Sequence, residues 1–458
     1  MAEEILIVGG VAAGMSAASR ARRASATAKI TVLERGPVAA YGACGLPLWL
    51  AGEVGGIEAL LAHPAEFFRD QRGLEVLTGH EALELEPGRH RVRVRTPGGE
   101  RWLHYDRLVL ATGATGRWQP PAPPRNLFAA NTWQQALGLD AALRNAAEPI
   151  RRLAVVGAGY IGLEVAQALA RRGIEVTLVD AHATPLHGFD DELAALLPPM
   201  IEAAGIAYHP GTRVLGLEGP AGGWARALAT SAGTIACDAI VNCGGLRPET
   251  GLAAAAGVAL GGWGGIAVDE RQQTNLAGIF AAGDCAETRH LVTGAAVWIP
   301  LGTAANKQGR VAGQNAAGGS SGGRPARFPG VLGTLAVPLF GAEWGRTGLT
   351  LAQGRAAGFD AAAQEVTAGT RAGYMEREKE TAAVTAKIVY DRGSGRLLGC
   401  HLLGAPGTVT GRLDAAAVAL TARLELEQIE SLDFAYAPAM APLYEPLAIA
   451  AHVARRSA

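Results

Sequence analysis

Cys44 is the side chain in this sequence most able to do covalent chemistry, and it stands alone. It lies in Tyr41-Gly42-Ala43-Cys44-Gly45-Leu46-Pro47, and the next cysteine is Cys237. No Cys-x-x-Cys or Cys-x-x-x-x-Cys spacing surrounds it, so no resolving thiol is close in sequence. A thiol in that position works through a mixed disulfide, a persulfide or a sulfenic acid. Cys237, Cys243, Cys285 and Cys400 read as packing residues. None of the five has metal-ligand spacing, so no metal site is expected.

The elements that must position this thiol are written twice. Ile5 to Val8, the turn Gly9-Gly10-Val11-Ala12-Ala13-Gly14, an Ala-rich run and Ile30 to Glu34 form the first copy. Leu153 to Val156, the turn Gly157-Ala158-Gly159-Tyr160-Ile161-Gly162, a second apolar run and Val176 to Asp180 form the second. Each reads as strand, glycine-rich turn, helix and a strand ending in an acid, the pattern of a dinucleotide-binding fold. Glycines let the backbone approach a pyrophosphate at a helix N-terminus, and the acid accepts from ribose hydroxyls. The first copy has Val11 at the middle glycine position, whereas the second satisfies Gly-x-Gly-x-x-Gly in full. Arg35 follows the first acid; after Asp180 come Ala181-His182-Ala183, with no Arg or Lys to hold a 2′-phosphate. NADH is therefore expected over NADPH, with NADPH use left open.

The chain has 458 residues and a net charge of −1. That length suits two or three domains. The charge balance gives no reason to expect nucleic acid or a membrane surface. No basic, apolar and cleavage-site leader precedes Ile5, and no apolar run is long enough to span a bilayer. A reduced, cytoplasmic setting is expected for five widely spaced cysteines. Around residues 318–330 the Gly/Ser/Pro-rich stretch reads as a linker. Beyond it, apolar strands (Val331 to Phe340, Ala386 to Tyr390, Leu397 to Leu403) and helices (Leu413 to Leu424, Leu443 to Val453) suggest an α+β domain.

Further motifs carry a family resemblance. Tyr105 to Ala114, with Ala111-Thr112-Gly113, resembles the strand that closes a first FAD segment. Gly278 to Glu287, with Gly283-Asp284, resembles the second FAD motif, whose Asp contacts the ribityl chain. Ile299-Pro300-Leu301-Gly302-Thr303-Ala304 resembles the opening of the helix that, in such proteins, would aim its positive end at the flavin. The whole chain is similar to the pyridine nucleotide-disulfide oxidoreductases. It most resembles the single-cysteine branch of coenzyme A-disulfide reductases, NAD(P)H persulfide reductases and NADH oxidases.

The resemblance implies an α/β fold with two Rossmann-like dinucleotide-binding domains and a C-terminal α+β dimerisation domain, glutathione-reductase-like. The segments would be 1–118 (FAD), 119–244 (NAD), 245–322 (FAD again) and 323–458 (dimerisation), with Gly245 returning the chain to FAD. It implies a homodimer holding FAD and using NADH. Electrons would reach Cys44, at a lowered pKa, and then a low-molecular-weight disulfide or persulfide linked to coenzyme A. Tyr436, in Phe434-Ala435-Tyr436-Ala437-Pro438, would approach the partner's redox cysteine; Tyr374 departs from the family context. Arg20, Arg22, Arg23 and Arg69 would form a basic substrate rim near the channel mouth. The alternative within the branch is an NADH oxidase acting through a Cys44 sulfenic acid. Peroxidases of the branch carry His where Ala12 stands here, which disfavours that chemistry. Relatives that pass electrons to partner proteins lack a cysteine at the position of Cys44.

Overall fold

Apolar runs of four to six residues, each followed by a glycine-rich turn, fold as the strands of parallel sheets. Such sheets are covered on both faces, so their strands need no polar alternation. In the computed structural model, residues 2–145, 149–220, 222–318, 325–375 and 383–457 are described. The first sheet runs in the order Ile279–Ala281, Arg107–Leu110, Glu4–Val8, Lys29–Glu34, Glu75–Thr78, all parallel. Helix α1 (Ala12–Ala24) packs on it. The turn Ala43–Gly45 leads into the short helix α2 (Leu46–Leu50).

The second sheet repeats the plan in the order Ala207–His209, Glu175–Val179, Arg152–Val156, Ala239–Asn242, Leu127–Phe128. Its glycine turn opens helix α3 (Tyr160–Arg171). The chain crosses between the two units along a ribbon, Ala114–Gly116 paired antiparallel with Leu246–Pro248. After its return, helix α4 (Gly302–Ala316) crosses α1. The expected linker falls partly outside the described residues. Its described end packs back, with Phe328 N–H donating to the Glu270 carbonyl.

The C-terminal unit is a five-stranded antiparallel sheet in the order Leu335–Leu339, Ala342–Gly348, Leu397–Gly404, Ala383–Asp391, Ala361–Gly369. Helices Thr410–Ala422 and Pro446–Ser457 accompany it. Two of these strands escape the sequence reading. Ala342–Gly348 carries Glu343, Gly345 and Arg346 within it, and Ala361–Gly369 begins with three alanines. Pairing with better strand formers overrides both local preferences. The architecture is α/β with two Rossmann-like sheets and a C-terminal α+β unit, as the motifs imply. Among the described residues, no helix is long and apolar enough to cross a membrane.

Candidate active site

Each glycine turn is shaped by backbone that comes too close for a side chain. Gly9 has φ of +106°, and a Cβ there would overlap the Ala111 carbonyl. A Cβ on Gly14 would overlap the Gly9 carbonyl oxygen, so α1 begins directly against the strand end. Val11 is the N-cap of α1 and Ala12 and Ala13 are its first residues. Gly157 and Gly162 repeat this relation at the start of α3, beside the Cys243 carbonyl. Gly159 is the N-cap of α3, followed by Tyr160 and Ile161. Unpaired helix N–H groups therefore face outward at two places, as pyrophosphate binding requires.

The acids sit where the pattern puts them. Glu34 Oε2 accepts from Gly10 N–H at 2.8 Å and Oε1 from Gly36 N–H at 2.7 Å, while Arg35 beside it is exposed. Asp180 Oδ2 accepts from Ala158 N–H at 2.5 Å. Its Oδ1 meets His182 N–H at 2.7 Å, His182 Nδ1 at 2.8 Å and His187 Nε2 at 3.2 Å. Burial works against ionisation there, but the His187, Ala158 and His182 contacts outweigh it and hold the carboxyl at about 2. Thr112 Oγ1 donates to the Glu249 carbonyl at 2.5 Å, and Gly113 turns through a positive φ. Gly245 also takes a positive φ, at the second crossing.

Asp284 and Gly283 lie between the starts of α1 and α4. Gly283 N–H donates to Gln308 Oε1 at 2.9 Å, and Trp298 Nε1–H donates to the Asp284 carbonyl at 2.7 Å. Burial pushes the Asp284 carboxyl up to about 6, and among the described residues no hydrogen-bond donor offsets it. A half-buried carboxyl without a donor, facing two helix N-termini, fits the hydroxyl-rich and phosphate-rich linker of FAD. The glycine cradle at Gly9 and Gly14 fits its pyrophosphate.

Cys44 opens onto the same cleft and is exposed. Its Sγ lies 3.7 Å from where a Cβ on Gly302 would stand, at the first turn of α4 after Pro300 and Leu301, with Thr303 and Ala304 following. Burial, then the nearby Glu164 and Asp284 carboxyls, raise its pKa. The expected lowering is therefore not supplied by the protein's own charged side chains. Glu164 is half-buried on α3, and burial pushes its carboxyl up to about 7. Tyr160 joins this cluster: burial, Asp284, Cys44 and Glu164 push its phenol up to about 12.

Sequence reasoning missed Glu164, although it lies four residues after Tyr160 and so on the same helix face. It also missed His182 and His187 as partners of Asp180, having searched that loop for Arg and Lys alone.

Other candidates fall elsewhere. Tyr374 and Tyr436 are 76% and 48% exposed, with hydroxyls 3.5 Å apart, and no hydrogen bond joins either to Cys44 of the same chain. Arg22 is committed to structure: it donates to the carbonyls of Ser25 (3.2 Å), Ala26 (2.9 Å) and Gly73 (2.8 Å). That correction removes it from the free basic rim. It also ties the end of α1 to the helix Ala65–Arg72, so the two basic segments do adjoin. Arg69 pairs with Asp70 at 2.8 Å, Arg23 is exposed and Arg20 half-buried.

Two nucleotide cradles converging on one thiol define a flavin- and pyridine-nucleotide-dependent oxidoreductase. The chain belongs to the pyridine nucleotide-disulphide oxidoreductase family, whose model matches residues 3–309, and the family's dimerisation domain matches residues 336–446. It uses FAD and NAD(P)H. An NAD(P)H coenzyme A polysulfide/persulfide reductase of Pyrococcus horikoshii is 34% identical, over 99% of this chain and 98% of that protein. An NADH oxidase of Methanocaldococcus jannaschii is 30% identical over 97% of each. A solved NAD-dependent persulfide reductase from A. fulgidus superposes with a TM-score of 0.92 at 32% identity, covering 99% of this chain and 83% of that one.

Proposed function

We propose that this enzyme reduces coenzyme A persulfide, coenzyme A disulfide or a related low-molecular-weight disulfide through Cys44. The observation that carries the reading is the placement of one unpaired thiol at the start of α4, beside Tyr160, Glu164 and Asp284. The names of the Pyrococcus and A. fulgidus relatives support the substrate class.

The Cys44 thiolate attacks a disulfide R–S–S–R′. A Cys44–S–S–R bond forms, the substrate S–S bond breaks, and R′–S⁻ leaves and takes up a proton. FAD held by the Gly9 and Gly14 cradle, Glu34 and Asp284 would supply the two electrons, taken from NAD(P)H, that return Cys44 to thiolate and free the second thiol. The balance is one NAD(P)H and one proton per disulfide cleaved to two thiols. Glu164, near neutrality in its proton affinity, is placed to hold or yield a proton beside the sulfur.

The match to the family's dimerisation domain supports a homodimer as the active unit. In our reading the exposed Tyr374–Tyr436 pair serves the partner's Cys44, as a hydrogen-bond partner to the leaving thiolate. Arg20, Arg23 and Arg69 take the phosphates of coenzyme A. Glu34 and Asp180 take the ribose hydroxyls of FAD and NADH. In our reading the enzyme works in the cytoplasm, a setting that the five free cysteines suit.

The Methanocaldococcus relative supports a second reading, oxygen reduction through a Cys44 sulfenic acid. Cys44→Ser separates them. In the reductase reading it abolishes NADH-dependent release of thiol from coenzyme A disulfide and persulfide. Slow oxygen consumption then survives. If the wild type turns over oxygen alone, the oxidase reading replaces it; if Cys44→Ser cleaves disulfides at the wild-type rate, Cys44 has no part in the reaction and the proposed mechanism fails.

A further inference from the structure

The loop after Asp180 gathers three metal-binding side chains around one point. Asp180 Oδ1 lies 2.8 Å from His182 Nδ1 and 3.2 Å from His187 Nε2. All three ligating atoms fall within 4.8 Å of one another. Ligands at about 2.0–2.1 Å on a tetrahedral zinc ion stand about 3.3 Å apart, so both spacings to Oδ1 are within about half an ångström of a tetrahedral edge. Two imidazoles and one carboxylate, with a corner left for water, suit zinc. Magnesium and calcium prefer oxygen ligands throughout.

Backbone contacts hold the three ligands in place. Asp180 Oδ2 is taken by Ala158 N–H, and Oδ1 accepts from His182 N–H at 2.7 Å, which leaves one lone-pair direction of Oδ1 for the imidazole side. Gly211 N–H donates to the His182 carbonyl and Leu186 N–H to the Ala158 carbonyl, both at 2.8 Å. Arg346 Nη1 donates to the carbonyl of Gly188, the residue after His187, at 2.8 Å. Both imidazoles stay open to solvent, so a hydrated ion can reach them, while Asp180 is 3% exposed. Among the described residues Asp180 pairs with no Lys or Arg; Lys387 is taken by Asp190 and Glu192. A neutral imidazole needs only to carry its proton on the other ring nitrogen to offer its lone pair.

We propose that Asp180, His182 and His187 form an inhibitory site for a zinc-like divalent cation, and that filling it shuts out the pyridine nucleotide. The exclusion rests on the reading that Asp180 accepts from the adenosine ribose. A cation on Oδ1 takes that acceptor and sets an ion and its water where the ribose hydroxyls belong. Flavin reduction then stops at the nucleotide-binding step, with Cys44 untouched. The site lies outside the cysteines, whose spacing alone gave the expectation of no metal.

The test uses untagged, FAD-loaded dimer carrying Cys44→Ser, because Cys44 is an exposed thiol that would itself bind zinc. Calorimetry with zinc chloride, in a non-chelating buffer near neutral pH, is expected to show one ion bound per subunit. Magnesium chloride should give no matching heat. His182→Ala and His187→Ala, each added to Cys44→Ser, should weaken zinc binding by about tenfold or more, the scale on which even groups supporting a ligand act. In stopped-flow flavin reduction, zinc should raise the NADH concentration for half-maximal rate and leave the limiting rate unchanged. EDTA should reverse the effect, and each histidine variant should lose most of it relative to its own zinc-free rate.

Absence of zinc binding, or histidine variants that bind zinc as tightly as their parent, overturns the proposal. So does zinc bound at the histidines without any change in the NADH requirement. Asp180→Asn, measured without zinc, separates these failures from that of the ribose reading. It should raise the NADH concentration for half-maximal reduction about tenfold or more, the scale of one charge-assisted hydrogen bond. If it does so and zinc still fails to compete, the inhibitory site alone falls; if NADH binds Asp180→Asn as before, the ribose reading falls and takes the exclusion with it. Cys44 is absent from every protein measured, so failure of the thiol-reductase reading would produce none of these results.

Discussion

Burial first, and then two nearby carboxyls, disfavour the thiolate of Cys44. Glu164 and Asp284 both raise its pKa, and Glu164 itself is held at about 7 by burial. As pH rises through that value, Glu164 gains a negative charge beside a thiol that must also become negative, and like charges disfavour each other. Glu164→Gln should therefore speed alkylation of Cys44 by iodoacetamide above neutrality, by about twofold or more, and leave the rate little changed in acid. Mass spectrometry of Cys44 in NADH-reduced protein measures it; equal rates at all pH values would remove Glu164 from the thiol's environment. Cys44 and the two glycine turns were legible because residue type and spacing carry them, and the FAD and NAD(P)H requirement through the family resemblance of the motifs around them. Glu164 was legible in principle, one helical turn after Tyr160. The contacts of His187 with Asp180 were not, since they depend on how the loop after Asp180 folds back.

The two cofactor-facing helices are held together by the absence of side chains. A Cβ on Gly309 would overlap the Ala13 carbonyl, and one on Gly313 would overlap that of Ala17. α1 and α4 thus cross almost backbone to backbone, and Asn306 Nδ2 donates to Ser16 Oγ at 2.8 Å across the same seam. The close crossing brings both N-termini to Gly283 and Asp284, where the FAD linker is expected. Gly313→Ala lies away from those N-termini yet should force the helices apart. Overpacking of this kind costs about 1–3 kcal/mol. Thermal melting should drop, and flavin absorbance per chain should fall after dialysis; a variant that melts and retains FAD as the wild type does would contradict the seam. The Gly-x-x-x-Gly spacing at 309 and 313 was readable as one helix face. Its partner, α1, lies almost three hundred residues away, and no local pattern names it. The C-terminal strands Ala342–Gly348 and Ala361–Gly369 were lost for the same reason, because their strand character comes from neighbours in the sheet.

At the scale of the whole molecule, the NAD-binding unit and the C-terminal unit are fastened by a buried polar cluster. Lys387 is 3% exposed, and its Nζ lies 2.5 Å from both Asp190 Oδ1 and Glu192 Oε2. His401 completes it: Asp190 N–H donates to Nδ1 at 3.3 Å, and Nε2 faces the Leu349 carbonyl at 3.3 Å. That geometry needs a neutral ring, since a protonated Nδ1 has no lone pair for the Asp190 amide. Burial, reinforced by Arg346 and Lys387 against the opposing pull of the Leu349 carbonyl and Asp190, brings its pKa down to about 4. The sign follows from linkage. A histidine in the unfolded chain takes up a proton near pH 6.5, whereas the folded protein resists until about 4, so the stability this ring contributes is complete above 6.5 and drains away as pH falls through that window. A displacement of this size is worth roughly 3 kcal/mol. Thermal melts of the FAD-loaded dimer at fixed protein concentration should therefore fall between about pH 6.5 and about pH 4. His401→Gln should start lower at neutral pH, through lost packing, but decline less steeply across the same interval. Equal slopes for variant and wild type would place the acid sensitivity in other groups and leave His401 as packing alone.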